Sequence, residues 1–299
     1  MPATTPRISP QLASVLFMLL ASALLAGTSI LAKTLGQGLF AADGEGLHVF
    51  QISFGRFAFA FLTIAITVLI LRPRFGPLEL PLHITRTAAG WSGITLAFTA
   101  LIWIPLPDAQ AINFLNPVFA MIFAIPLLGE KVGPWRWLAA AIAFIGALIL
   151  LRPSPASFQP AALFALASAV ITGFEVILIK RLSGRQNPLQ ILATNNGLGF
   201  CIASIAAFFI WSTPAPAEWV LMVALGLTMI CAQACFIQSM RRAEASFVIS
   251  VSLSSLPFAT LMDYLVFGTL PDRTSLIGAV VILSGVLLLF LREMQAKAR

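Results

Sequence analysis

Ten apolar stretches, most of them close to 20 residues long, constrain this chain more than any other feature. Lipid offers no hydrogen-bond partners to a peptide backbone, so a segment that crosses a bilayer must satisfy its own amide and carbonyl groups. A helix of about 20 residues does so across the hydrocarbon core, whereas a barrel strand needs only about ten residues of alternating polarity. The sequence therefore predicts an all-α integral membrane protein with ten transmembrane helices.

The composition supports this prediction. The chain is 59% hydrophobic and only 10% charged, with a mean hydropathy of +0.97, whereas soluble domains carry about 25% charged residues. The first apolar stretch follows Arg7, as a secretory signal would, but it runs on without a persuasive cleavage site. We therefore interpret it as a retained helix.

The ten stretches form two halves of five, with small and polar residues recurring at nearly constant offsets. One shift aligns Ser22, Gly27 and Ser29 with Ser168, Gly173 and Glu175, and another aligns Gly129 and Gly146 with Gly268 and Gly285. Such recurrence indicates an internal duplication. We predict a first five-helix repeat at 12–151 and a second at 160–292, joined by a periplasmic linker at 152–159 and flanked by cytoplasmic tails at 1–11 and 293–299.

An odd number of spans per repeat has a topological consequence. The second repeat must enter the membrane from the side opposite to the first, so the sequence predicts two inverted five-helix repeats. Two similar units related in this way can exchange conformations and expose a central site to each side in turn. This alternating access is a mechanism for carrying a solute.

Lysine and arginine are distributed asymmetrically among the connections. If the N-terminus is cytoplasmic, fourteen of the 18 fall in inner segments, namely Arg7, Arg72, Arg74, Arg86, Lys131, Arg136, Lys180, Arg181, Arg185, Arg241, Arg242, Arg292, Lys297 and Arg299. The outer connections hold only Arg152 and Arg273. The positive-inside rule then predicts that both termini are cytoplasmic. The net charge of +7 reflects this topology, and we expect no nucleic-acid partner.

Polar residues in several spans recur at helical spacing and form stripes at about 100° per residue. The stripes comprise Ser22, Ser29 and Lys33; Ser92, Thr95, Thr99 and Trp103; Gln110, Asn113 and Asn116; Ser168, Thr172 and Glu175; Cys231, Cys235 and Gln238; and Ser246, Ser250 and Ser254. The fifth and tenth spans carry small residues suited to close packing instead, among them Ala139, Ala143, Gly146, Gly278 and Gly285. This contrast predicts a hydrated cavity lined by most of the other eight helices. The alternative is a bundle that is held by interhelical hydrogen bonds and has no cavity.

Two prolines interrupt corresponding spans. Pro117 and Pro257 lie in the fourth span of each half, and each lacks the amide that would bond four residues back. The carbonyls of Asn113 and Leu253 are thereby released. We predict a paired hinge and binding surface at these prolines, with a purely structural kink as the alternative.

Four ionisable residues lie within the apolar stretches, where they are costly and therefore candidates for function. Arg56 could bind a carboxylate or pair with protein oxygens. Glu175 could bind a cation, exchange a proton or reach the cytoplasmic interface. We expect Lys33 to extend to the outer interface and Asp263 to be solvated. Arg56 and Glu175 are therefore the predicted charge or proton sites.

Three motifs carry a resemblance to a known family: G-T-S-I-L-A-K at 27–33, N-P-V-F-A at 116–120 and L-L-G-E-K at 127–131. With the duplicated ten-span pattern, the chain resembles the EamA type of the drug/metabolite transporter superfamily, and most of all its bacterial aromatic-amino-acid exporters. The second half departs from the pattern, with Gly268-Thr269 where the first has Gly129-Glu130. The resemblance implies a ten-helix basket in the bacterial inner membrane, export from the cytoplasm and a central cavity.

We predict an exporter of neutral amino acids, including aromatic ones, or of related small metabolites. The predicted substrate-binding residues are Thr95, Thr99, Trp103, Asn113, Asn116, Gln238, Ser250 and Ser254. Besides this small-molecule substrate and membrane lipid we expect no partner except a second copy, as monomer and homodimer both remain open.

An intramembrane enzyme and a passive channel are the rival hypotheses. His48 and His83 lie at span edges far apart in the sequence, and no nucleophile motif accompanies them. Cys231 and Cys235 share a helical face and could hold a metal or form a disulfide, but no His lies in a span, and we interpret them as packing residues. The sequence thus predicts no catalytic residue, no metal and no cofactor.

Overall fold

The computed structural model describes residues 10–40, 44–129, 133–151, 159–183, 186–240, 242, 251–252 and 254–297. All regular secondary structure within these ranges is helical. The helices are α1 (Pro10–Gly36), α2 (Val49–Leu71), α3 (Leu80–Trp103), α4 (Leu106–Asn113), α5 (Asn116–Leu128), α6 (Pro134–Leu151), α7 (Ala161–Ser183), α8 (Pro188–Phe208), α9 (Pro216–Met240), α10 (Ser255–Phe267) and α11 (Arg273–Lys297).

Six stretches among the described residues are long and apolar enough to cross a membrane. They are α1, α2, α7, α8, α9 and the segment Asp108–Leu128, which contains both α5 and most of α4. Shorter apolar stretches occupy α6, α10 and α11. The remaining long helix, α3, is more polar because it carries His83, Arg86 and several hydroxyl residues, and many of these are buried against other helices. The protein is therefore an all-helical, multi-pass membrane protein.

The contacts between helices are symmetric with respect to the two halves: a contact between two helices recurs between their counterparts in the other half. In the order of the chain, α1, α2 and α3 correspond to α7, α8 and α9. Thus α1 packs on α9 as α7 packs on α3, and α2 packs on α9 as α8 packs on α3. Two further interfaces, α2 with α8 and α6 with α11, each join a helix to its own counterpart in the other half. Most of the extensive interfaces therefore join one half to the other.

Residue pairs across these interfaces give the relative directions of the helices. Antiparallel interfaces join α1 to α9 (Ser14 with Ser239, Gly27 with Thr228), α2 to α8 (Gln51 with Ser212, Phe61 with Gly197), α3 to α7 (Arg86 with Glu175, Gly93 with Ser168) and α6 to α11 (Gly146 with Ile282, Ala143 with Gly285). A parallel interface joins α2 to α9, where Gly55 meets Met222 and Phe59 meets Gly226.

The fourth span consists of two helices. Phe114 and Leu115 separate α4 from α5, and Pro117 lies in the first turn of α5. A proline is tolerated there because the first amides of a helix have no intrahelical acceptor. Pro257 similarly lies in the first turn of α10. Each proline therefore begins a second helical segment rather than bending the middle of a continuous one.

The ends of α5 and α10 are also alike. Gly129 and Gly268 cap these helices in the left-handed conformation, with φ of 68° and 67°. Such a cap favours glycine because a side chain is strained at positive φ. The alignment of these two glycines in the sequence therefore has a structural counterpart.

Helices α6 and α11 approach each other through glycine. An added Cβ at Gly285 would lie 2.5 Å from the backbone nitrogen of Ala143, and one at Gly146 would lie 2.5 Å from that of Ile282. Ala139 and Ala143 are fully buried in this interface. The small-residue packing predicted for the fifth and tenth spans is present, and it draws the two backbones into contact.

We expect Gly285→Ala to lower the free energy of unfolding by about 1–3 kcal/mol, because backbone atoms that cannot rotate away must shift to admit the methyl group. The measurement is the thermal unfolding midpoint of the purified protein in detergent. The matched control is Gly27→Ala, whose added Cβ would meet only the Thr228 methyl group at 3.8 Å. An equal effect of both substitutions would contradict close backbone packing at Gly285.

Candidate functional site

A cavity lies among α1, α3, α4, α7 and α9, and thus between the two halves. Its volume is about 130 Å³, and the cavity is partly open to solvent. Its wall consists of Leu25, Thr28, Ser29, Ile94, Ala97, Phe98, Leu101, Ala109, Gln110, Asn113, Ala165, Ser168 and Met229. The wall is mainly apolar with a few converging polar groups, as is usual for sites that bind small organic molecules.

Most of the polar side chains in the wall already have a partner. Ser29 donates to the carbonyl of Leu25 at 3.1 Å, and Gln110 donates from Nε2 to the Ser29 hydroxyl at 3.2 Å. Ser168 donates to the carbonyl of Gly93 at 2.8 Å. The exception is the buried Oδ1 of Asn113, which has no hydrogen-bond partner among the described residues. A buried acceptor without a partner is costly, so Asn113 is available to a ligand donor.

Among the predicted binding residues that the structure describes, Asn113 alone lines this cavity. The three predicted residues of α3 lie elsewhere. Thr95 shares a 2.8 Å hydrogen bond with Ser53 of α2, Thr99 donates to the carbonyl of Thr95, and the side chain of Trp103 is 72% exposed. The cavity-facing side of α3 is instead apolar, formed by Ile94, Ala97, Phe98 and Leu101.

The other predicted binding residues are spread over three places. Asn116 begins α5, with its backbone carbonyl close to Gly173. Gln238 accepts a hydrogen bond from Arg242, and the buried hydroxyl of Ser254 has no partner among the described residues. Ser250 lies outside the described residues. The binding roles of all these residues remain predictions.

Four polar residues of the wall are not in the predicted binding set: Thr28, Ser29, Gln110 and Ser168. The last three belong to the polar stripes on the first, fourth and sixth spans. On each of these three spans, the polar stripe therefore includes a residue of the cavity wall. The predicted hydroxyl residues of α3 do not line the cavity, because Thr95 bonds to Ser53 of α2 and Thr99 bonds to the backbone of its own helix.

Lys33 and Asp263 form a buried ion pair, which corrects the expectation that each would be solvated. The Lys33 Nζ lies 2.7 Å from the Asp263 Oδ1, with the residues 4% and 0% exposed. Thr269 donates a further hydrogen bond to the carboxylate. The packing of α1 on α10 brings the two charges together, and mutual neutralisation is far less costly than leaving either one alone in the membrane.

Arg86 also departs from its expected position. The sequence assigned it to an inner connection, whereas α3 already begins at Leu80 and Arg86 is only 6% exposed. Pro81, in the first turn of α3, was the available signal for this earlier start. The Arg86 Nε lies 3.4 Å from the Glu175 Oε1 of α7. Arg56 is buried in α2, with its guanidinium carbon 4.0 Å from the centroid of the Phe57 ring. Of the two predicted charge sites, Glu175 therefore pairs with Arg86.

We expect Lys33→Met to lower the free energy of unfolding by about 3–5 kcal/mol, because it leaves the Asp263 carboxylate buried without its counter-charge. The thermal midpoint in detergent measures this. The double variant Lys33→Met with Asp263→Leu is the control and should recover most of the loss. If the single variant is as stable as the wild type, the pair does not neutralise a buried charge.

Comparison with known proteins identifies the family. The EamA-like transporter family matches this chain twice, at residues 12–152 and 159–291. A riboflavin transporter of Rhizobium johnstonii is 32% identical, covering 73% of this chain and 72% of the relative. An S-adenosylmethionine uptake transporter of Rickettsia bellii is 24% identical, covering 86% and 88%.

A pseudopaline exporter of Pseudomonas aeruginosa is 26% identical, covering 68% of this chain and 72% of the relative. One solved structure shares the fold, with a TM-score of 0.62 at 18% identity over 96% of this chain and 98% of its own. The chain is a membrane transporter that belongs to the EamA-like transporter family.

Proposed function

We propose that this transporter exports neutral amino acids, including aromatic ones, from the bacterial cytoplasm by alternating access. The observation that carries the proposal is the cavity between the two halves. Its walls come from α1, α3 and α4 of the first half and from α7 and α9 of the second. A site built from both halves opens to one side of the membrane or to the other when one half tilts against the other.

The directions of corresponding helices support the inversion that alternating access requires. The second helices of the two halves, α2 and α8, pack antiparallel, and so do the fifth helices, α6 and α11. The double match of one family, at 12–152 and 159–291, agrees with a duplication. We therefore propose two inverted five-helix repeats at 12–151 and 160–292, each completed by five spans.

The interrupted helices support a hinge at the paired prolines. In this proposal Pro117 and Pro257 mark the positions at which α4 turns into α5 and the ninth span turns into α10. Helices α4 and α10 pack against each other, so a movement at one break is transmitted through this contact to the other break. Asn113, the last residue of α4, couples this break to the cavity wall.

The cavity chemistry supports a small substrate with a mixed surface. Hydroxyl and amide groups of Thr28, Gln110 and Asn113 suit an ammonium or a carboxylate, and Phe98, Leu101 and Met229 suit an apolar side chain. An amino acid combines these features. The names of the relatives include both uptake and export, and the resemblance to aromatic-amino-acid exporters favours the outward direction.

The charge distribution supports cytoplasmic termini and an inner-membrane location. With Arg86 inside α3, thirteen Lys and Arg residues remain in the proposed inner segments, against Arg152 and Arg273 outside. This asymmetry still favours one orientation. The fifth and tenth helices, α6 and α11, engage each other within one chain, which is compatible with a monomer.

The test is counterflow in liposomes that contain the purified protein, preloaded with one unlabelled amino acid and supplied with the same labelled compound outside. We expect saturable accumulation of L-phenylalanine and L-leucine that depends on preloading, because a carrier exchanges substrate through one site. Flux that neither saturates nor responds to preloading would identify a channel. No accumulation of any of the twenty amino acids would refute the proposed cargo.

The identity to the Rhizobium johnstonii protein favours riboflavin as the second candidate substrate. Labelled riboflavin and S-adenosylmethionine belong in the same counterflow panel. If riboflavin accumulates and no amino acid does, riboflavin replaces the amino acids as the proposed substrate, and the proposal that the protein is a carrier still holds.

Asn113→Ala should raise the apparent KM for the transported amino acid about tenfold, because the substrate loses a hydrogen bond to a desolvated acceptor. Thr63→Ala is the control, since the Thr63 hydroxyl bonds the Phe59 carbonyl of its own helix and does not line the cavity. An unchanged KM in Asn113→Ala would remove this residue from the site.

A further inference from the structure

The interface between α3 and α7 closes the bundle on the inner side of the cavity, towards the helix ends that the proposed topology places at the cytoplasm. Ser168 of α7 lines the cavity and donates to the carbonyl of Gly93 at 2.8 Å. An added Cβ at Gly93 would lie 2.9 Å from the Thr172 methyl carbon, and one at Gly90 would lie 2.7 Å from the Glu175 carboxylate. The two halves are therefore in close contact over successive turns, beginning at the cavity wall and continuing inward.

An ion pair stands at the inner end of this interface. The Arg86 Nε lies 3.4 Å from the Glu175 Oε1. Neither Nε nor Nη1 of Arg86 has a hydrogen-bond partner among the described residues. The two charges therefore attract each other without a hydrogen bond from either nitrogen, and such a contact separates more readily than a hydrogen-bonded pair.

The interface between α1 and α9 closes the same side of the cavity. Leu25 and Met229 line the cavity, and Ala21, one turn inward from Leu25, is fully buried. Further inward, the hydroxyl groups of Ser14 and Ser239 lie 2.9 Å apart, and each of them also bonds the backbone carbonyl of the other residue. Contacts between the halves therefore lie between the cavity and the inner helix ends on both α1 and α3.

The ion pair on the opposite side of the cavity has a different construction. Lys33 follows the cavity residue Ser29 by one turn towards the outer end of α1. Its Nζ donates to Asp263 at 2.7 Å, and Thr269 donates to the same carboxylate. The side chains of Lys33 and Asp263 are 5% and 0% exposed, whereas the Glu175 side chain is 17% exposed. Of the two pairs between the halves, the inner one is the less tightly bonded and the nearer to water.

We propose that Arg86 and Glu175 form an inner gate. The pair holds α3 against α7 while the cavity is closed to the cytoplasm, and it breaks when the cavity opens to that side. Arg86 lies about 9 Å from the beginning of α3 and Glu175 about 12 Å from the end of α7, so water from the inner side hydrates both charges once the helices part. The proposal rests on the proposed function in one respect, that the protein works by alternating access.

Cysteine accessibility tests the gate without any cargo. The three cysteines of the chain are replaced by alanine, and Ala97→Cys introduces one thiol into the cavity wall. The rate at which a membrane-impermeant maleimide modifies this thiol is measured from the cytoplasmic side in inside-out vesicles and from the outer side in spheroplasts.

We expect Arg86→Met and Glu175→Gln each to raise the rate of modification from the cytoplasmic side about tenfold and to lower the rate from the outer side. Each substitution leaves one charge without its partner, and that charge is hydrated only when the gate is open. A rate from the cytoplasmic side that does not change, or rates that rise equally from both sides, would overturn the gate.

Two controls separate the gate from a general loss of packing. The exchanged pair, Arg86→Glu with Glu175→Arg, restores opposite charges and should return the rate to within about twofold of the wild type. A loss of packing predicts no such recovery, so an exchanged pair that is modified as fast as the single variants would overturn the role of the charges. Arg74→Met removes an exposed arginine between α2 and α3 and should be modified as the wild type is.

If the single variants do not fold, a disulfide tests the same interface with both charges in place. Gly93→Cys and Thr172→Cys are combined with Ala109→Cys, which puts the reporter thiol on α4 in the cavity wall. The 2.9 Å approach of the Gly93 Cβ to the Thr172 methyl carbon brings the two thiols within reach of a disulfide. Oxidation should slow modification from the cytoplasmic side at least tenfold and reduction should restore it, whereas equal rates would overturn the gate.

The gate and the cargo can fail separately. If the rates respond to the ion pair but no amino acid shows counterflow, the proposed cargo is refuted and the gate stands. If amino acids show saturable counterflow but the rates are indifferent to the ion pair, the gate is refuted and the carrier stands.

Discussion

The structure depends on the inability of lipid to accept a hydrogen bond or to solvate a charge. Every polar group that the chain places at membrane depth must find its partner within the protein. Helices satisfy the backbone, and hydroxyl side chains such as Thr28, Ser29 and Thr63 bond carbonyls of their own helix. The buried groups that remain unsatisfied among the described residues therefore stand out, and they include Asn113 in the cavity wall and both Arg56 and Arg86.

Close backbone contact supplies the frame around these groups. Glycine in α6 and α11 brings two helices together, and Gly93 of α3 admits Thr172 and accepts the Ser168 hydrogen bond. Polar side chains then meet at defined places between helices rather than along their lipid-facing surfaces. The same contacts set the distance between Glu175 and Arg86, because Glu175 packs against Gly90. Small residues thus determine where the charges lie.

Much of the architecture could be predicted from sequence because it follows from local patterns. The length of the apolar stretches predicts membrane-spanning helices, and small residues predict the close packing of α6 on α11. The polar stripes on the first, fourth and sixth spans each include a residue of the cavity wall. Partners far apart in the sequence could not be predicted. Nothing local indicates that Lys33 meets Asp263, 230 residues away, or that Arg86 lies inside a helix beside Glu175. A charge near a span end looks the same whether water or another helix neutralises it.

The dominance of contacts between the halves bears on how the protein is made. Arg56 and Arg86 emerge from the ribosome with the first half, whereas the carboxylate that pairs with Arg86 belongs to α7 and follows roughly 90 residues later. The early helices must therefore reside in the bilayer, or beside the insertion machinery, with their cations uncompensated until the later helices arrive. Biogenesis, more than the finished fold, then limits how many charges such a bundle can carry.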